Sequence, residues 1–266
     1  MRNQNLTELR NVQGLEDLNK SELRDMGNRE TIVSSIRTRT DRAELRLSAT
    51  LLFVGVLISV VAGLFHPAHA TANDHPAAFA EYAASTIWIA VHLAQFIGMA
   101  VIIAGLLVLD AALDQQSWTT RLGALFALIA LALYGVLQAV DGVALKRAVD
   151  AWVAAPEAEK AARFASAETV RWLEWGAKSY QTFILGTSLF LFAMAILRTG
   201  FVSKPIGYLM GLSGVAYVVQ GWILGLMGFG PAEVPTVAGI LLNLVWSIWF
   251  LVFAWKHRTQ GTTVQE

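Results

Sequence analysis

Apolar residues in this chain are gathered into long blocks that are separated by shorter polar connections. Six blocks are long enough to cross a bilayer as helices, because about 20 residues rising ~1.5 Å each span the ~30 Å hydrocarbon core. They lie at about 47–65, 86–109, 122–143, 173–197, 205–229 and 236–255. The ten-residue alternating segments typical of a membrane β-barrel are not found. The pattern predicts an all-α integral membrane protein with a six-span helical domain over 46–258.

The two ends of the chain are polar. Residues 1–45 carry nearly balanced charges and no convincing apolar stripe, so we expect a disordered or weakly helical tail. Met26 is an alternative start of the protein. Residues 259–266 form a second short tail.

The first apolar block has some features of a secretory signal. Arg42 and Arg46 precede it, and an A-x-A sequence at 68–70 follows it. Its apolar run of about 19 residues exceeds the 7–15 usual for a signal peptide. We therefore favour an uncleaved first span over cleavage.

The distribution of basic residues predicts how the spans are oriented. They are frequent before the first span. Others lie on the same side of the membrane, in the connections after the second and fourth spans and in the C-terminal tail. Loops 66–85 and 229–235 have none. By the positive-inside rule, both termini are cytoplasmic, and the protein lies in the inner (plasma) membrane as a multi-pass protein.

The segment between the third and fourth spans keeps its helical character. Residues 144–170 are amphipathic, and Pro156 begins a new helix with Glu157 and Glu159 in its first turn, where the helix dipole favours acidic residues. We expect an outer amphipathic helical hairpin or cap at the membrane surface.

Composition removes several classes of chemistry. The chain has no cysteine, which excludes disulfides, thiolate zinc sites, iron–sulfur clusters and thiol catalysis. It carries no G-x-S-x-G, H-E-x-x-H or glycine-rich phosphate motif. Basic patches with interleaved aromatic residues are also missing, so no nucleic-acid partner is expected. Whether the protein is an enzyme is left open, with a non-catalytic role favoured.

Glycines form a stripe along the fifth span. Their spacing of 4-3-7-4-3 places them on one helix face, where small residues let a neighbouring backbone approach closely. This glycine seam consists of Gly207, Gly211, Gly214, Gly221, Gly225 and Gly228. It predicts a tight helix contact, either with another helix of this chain, which we favour, or with a homodimer mate or other membrane partner.

Polar residues inside the spans are concentrated in one leaflet. With the orientation above, they fall in the outer halves of five helices, and the inner halves offer little beyond hydroxyl groups. The residues are His92, Gln95, Gln138, Asp141, Glu174, Lys178, Gln181, Gln220 and Asn243. Intramembrane polar groups are costly and often mark function. We interpret them as an outward-facing polar pocket, centred on His92 and Asp141; the alternative is that they hydrogen-bond between helices and fix register.

Three histidines follow the first span. His66, His69 and His75, with Asp74 and Glu81 nearby, are of the types that bind zinc or copper. Pro67 and Pro76 indicate a loop, so the alternative is a solvated loop that binds nothing in particular.

Haem is not favoured. Bis-histidine ligation needs two histidines at matched depth, and His66 is the one candidate partner for His92. A pair between His92 and either Asp141 or Gln138 is preferred.

Three functional hypotheses remain at this point. The first is a membrane protein with an outward-facing pocket for a small ligand or metal. The second is a structural or accessory subunit that docks a partner through the glycine seam. The third is a small-solute transporter or a membrane-bound redox enzyme.

Overall fold

The computed structural model of this protein is an all-α helical bundle. It describes residues 42–67, 69–113 and 117–256, and within these ranges it contains no β-strand. Among the described residues, six helices are long and apolar enough to span a membrane. The predicted fold class, an all-α polytopic membrane protein, is confirmed. The tails predicted for 1–45 and 259–266 lie outside the described residues, apart from 42–45.

The bundle forms one compact unit from Glu44 onwards. In chain order the elements are α1 (Arg42–Leu64), α2 (His75–Ala84), α3 (Trp88–Ala112), α4 (Trp118–Ala139), a π-helical segment (Val140–Leu145), α5 (Lys146–Ala154), α6 (Glu157–Thr199), α7 (Lys204–Met227) and α8 (Glu233–Lys256). The spanning helices are α1, α3, α4 with its continuation into α5, α6, α7 and α8.

The hairpin expected at 144–170 is present, as a direct continuation of the third and fourth spans. Helix α6 has 43 residues, which at ~1.5 Å each is about twice the thickness of the hydrocarbon core. Its N-terminal part and α5 are joined at Pro156, whose extended backbone (φ −64°, ψ 156°) turns the chain. The difference from the prediction is continuity: the spanning helices themselves extend beyond the bilayer.

The connection after the first span is more ordered than its prolines suggested. Pro76 lies in the first turn of α2, where proline costs no helical hydrogen bond. Asp74 caps this helix, with its carboxylate accepting from the amide of Ala77. The prediction of a loop here was wrong for 75–84, because the sequence D-H-P reads equally well as a helix start.

Helix α2 and the hairpin share a small core of their own. Phe79 and Tyr82 of α2 pack with Trp88, Val149 and Ala167, all of which are buried. We call α2, α5 and the N-terminal part of α6 the cap. The larger apolar core lies among the spanning helices and includes side chains such as Leu106, Phe192, Met210 and Phe250.

The glycine seam faces α6 of the same chain. A Cβ on Gly214 would lie 2.6 Å from the carbonyl oxygen of Gly186, and one on Gly221 would lie 2.7 Å from that of Ser179. The Ser179 hydroxyl also donates to the carbonyl oxygen of Gly221 at 2.7 Å. The seam is therefore an internal contact, as the favoured interpretation predicted.

The other seam positions follow the same face. A Cβ on Gly207, Gly211 or Gly225 would contact Ile196, Ala193 or Ser179, each on α6. Gly228 differs from the prediction, because α7 ends at Met227 and Gly228 has φ +79°. It ends the helix and lies against the Trp175 ring, where a Cβ would come within 2.5 Å.

The start of α1 and the end of α8 lie close together, which fits an even number of membrane crossings. Arg46 near the start of α1 donates to the carbonyl oxygen of Ala254 near the end of α8, at 3.2 Å. Both ends of the described chain therefore lie at the same end of the bundle, opposite the cap. That this end is cytoplasmic stays a prediction from the basic residues.

Replacing Gly214 with leucine should destabilise the bundle, because the new side chain would meet the backbone of α6. We expect the free energy of unfolding to fall by about 1–3 kcal/mol or more, since this is the usual cost of overpacking. The measurement is thermal or denaturant unfolding in detergent. Gly176→Ala is the control: its Cβ meets nothing within 4 Å, so improved helix propensity should leave stability equal or higher. Equal losses in the two variants would contradict the assigned contact.

Cysteine labelling can test the orientation, since the chain has no cysteine of its own. Ala161 is exposed in the cap and Phe201 is exposed in the α6–α7 connection at the other end. We expect Ala161→Cys to react with a membrane-impermeant maleimide in intact cells, and Phe201→Cys to react only after permeabilisation. The reverse pattern would show that the orientation is inverted.

Candidate functional site

His92 has a fixed tautomer. It lies one turn into α3 and is 2% exposed. Its Nδ1 is 2.7 Å from the carbonyl oxygen of Trp88, and a carbonyl can only accept, so Nδ1 carries the hydrogen. In the neutral ring, Nε2 is then left with a lone pair. That Nε2 lies 3.0 Å from Oδ2 of Asp141, outside aligned hydrogen-bond geometry.

Asp141 owes its position to the π-helical segment. Such segments widen a helix by one residue and are frequent at functional sites. The indole N–H of Trp88 donates to the carbonyl oxygen of Asp141 at 3.0 Å and so ties the segment to α3. Gly142 allows the close approach, because a Cβ there would lie 2.8 Å from the Cβ of His92. The pair predicted from matched depth, His92 with Asp141, is therefore present.

His66 joins this pair from the connection after α1. Its ring centroid is 5.3 Å from that of His92 and 4.9 Å from that of Trp88. Its Nδ1 is 2.8 Å from the carbonyl oxygen of Pro67, which assigns the ring hydrogen to Nδ1 and a lone pair to Nε2. Burial lowers the pKa of His66 below its ordinary value, which favours the neutral imidazole.

These three residues form a cluster that could hold a metal ion. One ligand atom from each of His66, His92 and Asp141 lies within 4.8 Å of the others. Both histidines direct Nδ1 to a backbone carbonyl, which is the usual outer contact of a metal-bound imidazole. We call this cluster the His–Asp triad.

The predicted metal set of three loop histidines is not assembled in this structure. His66 belongs to the His–Asp triad, but His75 is bound to Glu168, with Nδ1 2.8 Å from Oε1, and stacks on Phe79. His69 is exposed and has no part in the triad. The reason is the helix at 75–84, which turns His75 towards α6.

The two acidic residues near these histidines have structural contacts. Asp74 caps α2, and the Glu81 carboxylate accepts from the backbone amides of His69 and Ala70 at 3.1 and 3.0 Å. Desolvation opposes the charged form of Glu81, but the two amide bonds outweigh it and lower its pKa. Both carboxylates are occupied in holding the connection between α1 and α2.

A buried ion pair lies near the triad. Arg171 Nη1 donates to Oε2 of Glu174 at 2.6 Å, and both side chains are almost fully buried. The guanidinium also donates to the carbonyl oxygen of Ala72 and the hydroxyl of Tyr82, and it lies 4.4 Å from the centroid of Phe229. The pair ties α6 to the connection before α2 and to α2 itself.

Sequence reasoning missed Arg171, Tyr82 and Trp88 as members of this region. Arg171 and Glu174 are three residues apart, the spacing that places two side chains on one helix face. With Glu174 recognised as an inward-facing residue, this spacing was a usable signal. Nothing local in the sequence indicates the positions of Tyr82 and Trp88.

A separate cavity of about 390 Å³ lies among the spanning helices. Five of the nine predicted pocket residues line it: Gln95, Lys178, Gln181, Gln220 and Asn243. His92, Asp141, Glu174 and Gln138 are not in its lining. Gln138 lies near Tyr134, which does line the cavity. The single predicted pocket is thus resolved into two places, the His–Asp triad and this cavity.

Comparisons with known proteins place the chain in a family. No curated protein and no solved structure matches it. The family model described as a domain of unknown function, DUF4386, matches residues 39–254. That match covers more than half of the chain and includes all of the cap and nearly all of the spanning helices. The protein therefore belongs to the DUF4386 family of domains of unknown function.

Proposed function

We propose that this protein is a membrane metalloprotein that binds one divalent first-row metal ion through the His–Asp triad, and that zinc is the preferred ion. The observation that carries the proposal is the proximity of three ligand atoms, all within 4.8 Å, from residues far apart in the chain. His66 follows α1, His92 lies in α3 and Asp141 lies in the π-helical segment.

The tautomers of the two histidines support a cation at this place. With hydrogen on each Nδ1, both Nε2 atoms have lone pairs to offer. A lone pair on His92 Nε2 only 3.0 Å from a carboxylate oxygen is repulsive unless a proton or a metal ion lies with them. A proton on Nε2 of His92 would explain why Asp141 lies beside it but would give His66 no part in the cluster. A metal ion would be bound by all three residues.

Two imidazoles and one carboxylate are a known ligand set for metals. Catalytic zinc sites combine three such protein ligands with one open position, and non-haem iron(II) sites use the same donor types. An open position would let the ion bind water or a small external ligand and act as a Lewis acid. In this protein, the rings of Trp88 and Tyr82 would shield the ion from bulk water.

A structural role for the same residues is the second candidate. The contact from Trp88 to Asp141 joins α3 to the π-helical segment, and those from Arg171 to Ala72 and Tyr82 join α6 to the connection before α2 and to α2. On this view the His92–Asp141 pair only fixes helix register. The accessory-subunit hypothesis loses its proposed docking face, because the glycine seam is covered by α6.

Metal content distinguishes these candidates. Protein purified in detergent without chelator should contain about one zinc, or another first-row divalent metal, per chain by elemental mass spectrometry. His66→Ala, His92→Ala and Asp141→Asn should each lose most of it, because removing a ligand costs more than the 10–100-fold typical of outer contacts.

The matched control is His69→Ala, another histidine of the same connection, which should keep its metal. A metal-free wild type that also fails to bind added Zn²⁺ or Co²⁺ would contradict the proposal. So would equal metal contents in the control and the three ligand variants.

The close packing at Gly142 gives an independent test of the same centre. Gly142→Ala should force His92 and Asp141 apart and weaken metal binding by about 10–100-fold, the range for disturbed supporting contacts. The affinity can be measured by Co²⁺ titration, following the visible absorption. Gly135→Ala is the control, since its Cβ would only reach an ordinary 3.6 Å contact with Phe96. Unchanged affinity in Gly142→Ala would show that the triad does not hold the metal.

A further inference from the structure

The cavity among the spanning helices is lined by both polar and apolar side chains. The polar ones include Lys178, Gln181 and Gln220, and the apolar ones include Val56, Met99 and Leu185. A group about the size of a water molecule occupies ~30 Å³. The cavity of about 390 Å³ therefore holds roughly a dozen such groups. The space therefore suits a small molecule that is polar at one end and apolar at the other.

Two buried glutamines of the cavity carry amide atoms that have no hydrogen-bond partner among the described residues. Gln181 is 0% exposed and both of its amide atoms are unpaired; Gln220 is 2% exposed and its Oε1 is unpaired. Asn243, in the same cavity, contrasts with them: it donates to Tyr217 at 2.7 Å and accepts from Trp246 at 2.9 Å. Buried polar groups are normally satisfied, so Gln181 and Gln220 indicate a bound polar group.

Lys178 supplies a charge that no carboxylate of the described chain neutralises by an ion pair. Its Nζ lies 5.4 Å from the centroid of the Tyr134 ring, a cation–π contact. The ion pairs among the described residues connect other partners, including Glu174 with Arg171 and Asp141 with His92. A cation in an apolar, membrane-embedded cavity favours an anionic ligand.

Exposed side chains of α1 and α8 contribute to the lining of the cavity. Contacts join these helices at the end opposite the cap, where Arg46 meets Ala254. Towards the cap, Leu64 of α1 and Ile240 of α8 line the cavity, although they are 78% and 40% exposed. Residues that face lipid therefore also form the rim, which gives a bilayer-dissolved molecule a lateral way in.

We propose that this cavity binds a single-chain amphiphile with an anionic headgroup, of the fatty-acid type, taken up from the leaflet on the cap side. The headgroup accepts hydrogen bonds from Lys178 and from the amide of Gln181, and its hydrocarbon chain lies along Val56, Met99 and Leu185. A neutral amphiphile fits the volume but leaves Lys178 without a direct ion-pair partner. This inference rests on the cavity and is independent of the metal proposed for the His–Asp triad.

The test is binding of radiolabelled dodecanoate to the full chain in lipid nanodiscs, with empty nanodiscs subtracted. We expect saturable binding of about one molecule per chain. Unlabelled dodecanol, which has the same chain without the charge, should compete at least tenfold more weakly. Non-saturable binding, or equal competition by dodecanol, would overturn the proposal.

Lys178→Met should weaken dodecanoate binding about tenfold or more. Lys204→Met, which removes an exposed lysine at the other end of the bundle, is the matched control and should bind as the wild type does. Equal affinities in the two variants would overturn the assignment of Lys178.

Three further arms test the path of entry, the headgroup preference and the independence from the metal. Ile240→Trp, at an exposed position of the cavity lining, should slow or block binding without changing the polar side chains of the cavity, and unchanged binding kinetics would contradict the lateral path. Dodecyl phosphate in competition separates a carboxylate preference from a phosphate preference: tighter binding of dodecanoate supports the fatty-acid type, and tighter binding of the phosphate overturns that part. Dodecanoate binding should be unchanged after treatment of the wild type with a metal chelator, and loss of binding on chelation would overturn the independence of the two sites.

Discussion

Every polar group that this chain carries into hydrocarbon needs a partner inside the protein, and this requirement organises the bundle. Ser48 of α1 donates to the carbonyl oxygen of Gly105, and Ser188 of α6 donates to that of Gly123. Several buried polar atoms of the described residues lack such a partner, among them Nε2 of His92 and Oδ1 of Asp141. Gln181 and Gln220 are informative because they lie in the cavity, where a ligand can supply what the helices do not.

The cap and the spanning region depend on each other through a few long-range contacts. Arg171 in α6 binds the carbonyl oxygen of Ala72, and Trp88 at the start of α3 binds that of Asp141. His66 is brought over the same place by the short connection from α1. The candidate metal centre therefore lies where the cap meets the spanning helices, and its geometry depends on both parts.

The sequence predicts the fold well and the site only in part. Span number follows from block length alone, and the seam contact follows from glycine spacing, because both are local properties of one helix. The cluster of His66 with His92 and Asp141 depends on how three separate elements pack, whereas spacing along the chain groups His66 with His69 and His75. The split of one predicted pocket into two places has the same cause: matched depth says which residues share a layer but not which helices face each other.

The π-helical segment at 140–145 also sets the rotation of α5 relative to α4 within the third span. One additional residue in a helix turns everything after it by about 100°, given 3.6 residues per turn. Leu145 and Val149 face the buried side of the cap, while α4 below keeps its own face towards α6. Deleting a single residue here would therefore keep all six spans and still turn the hairpin away from α2. The segment sets the rotation of the cap relative to the spanning helices.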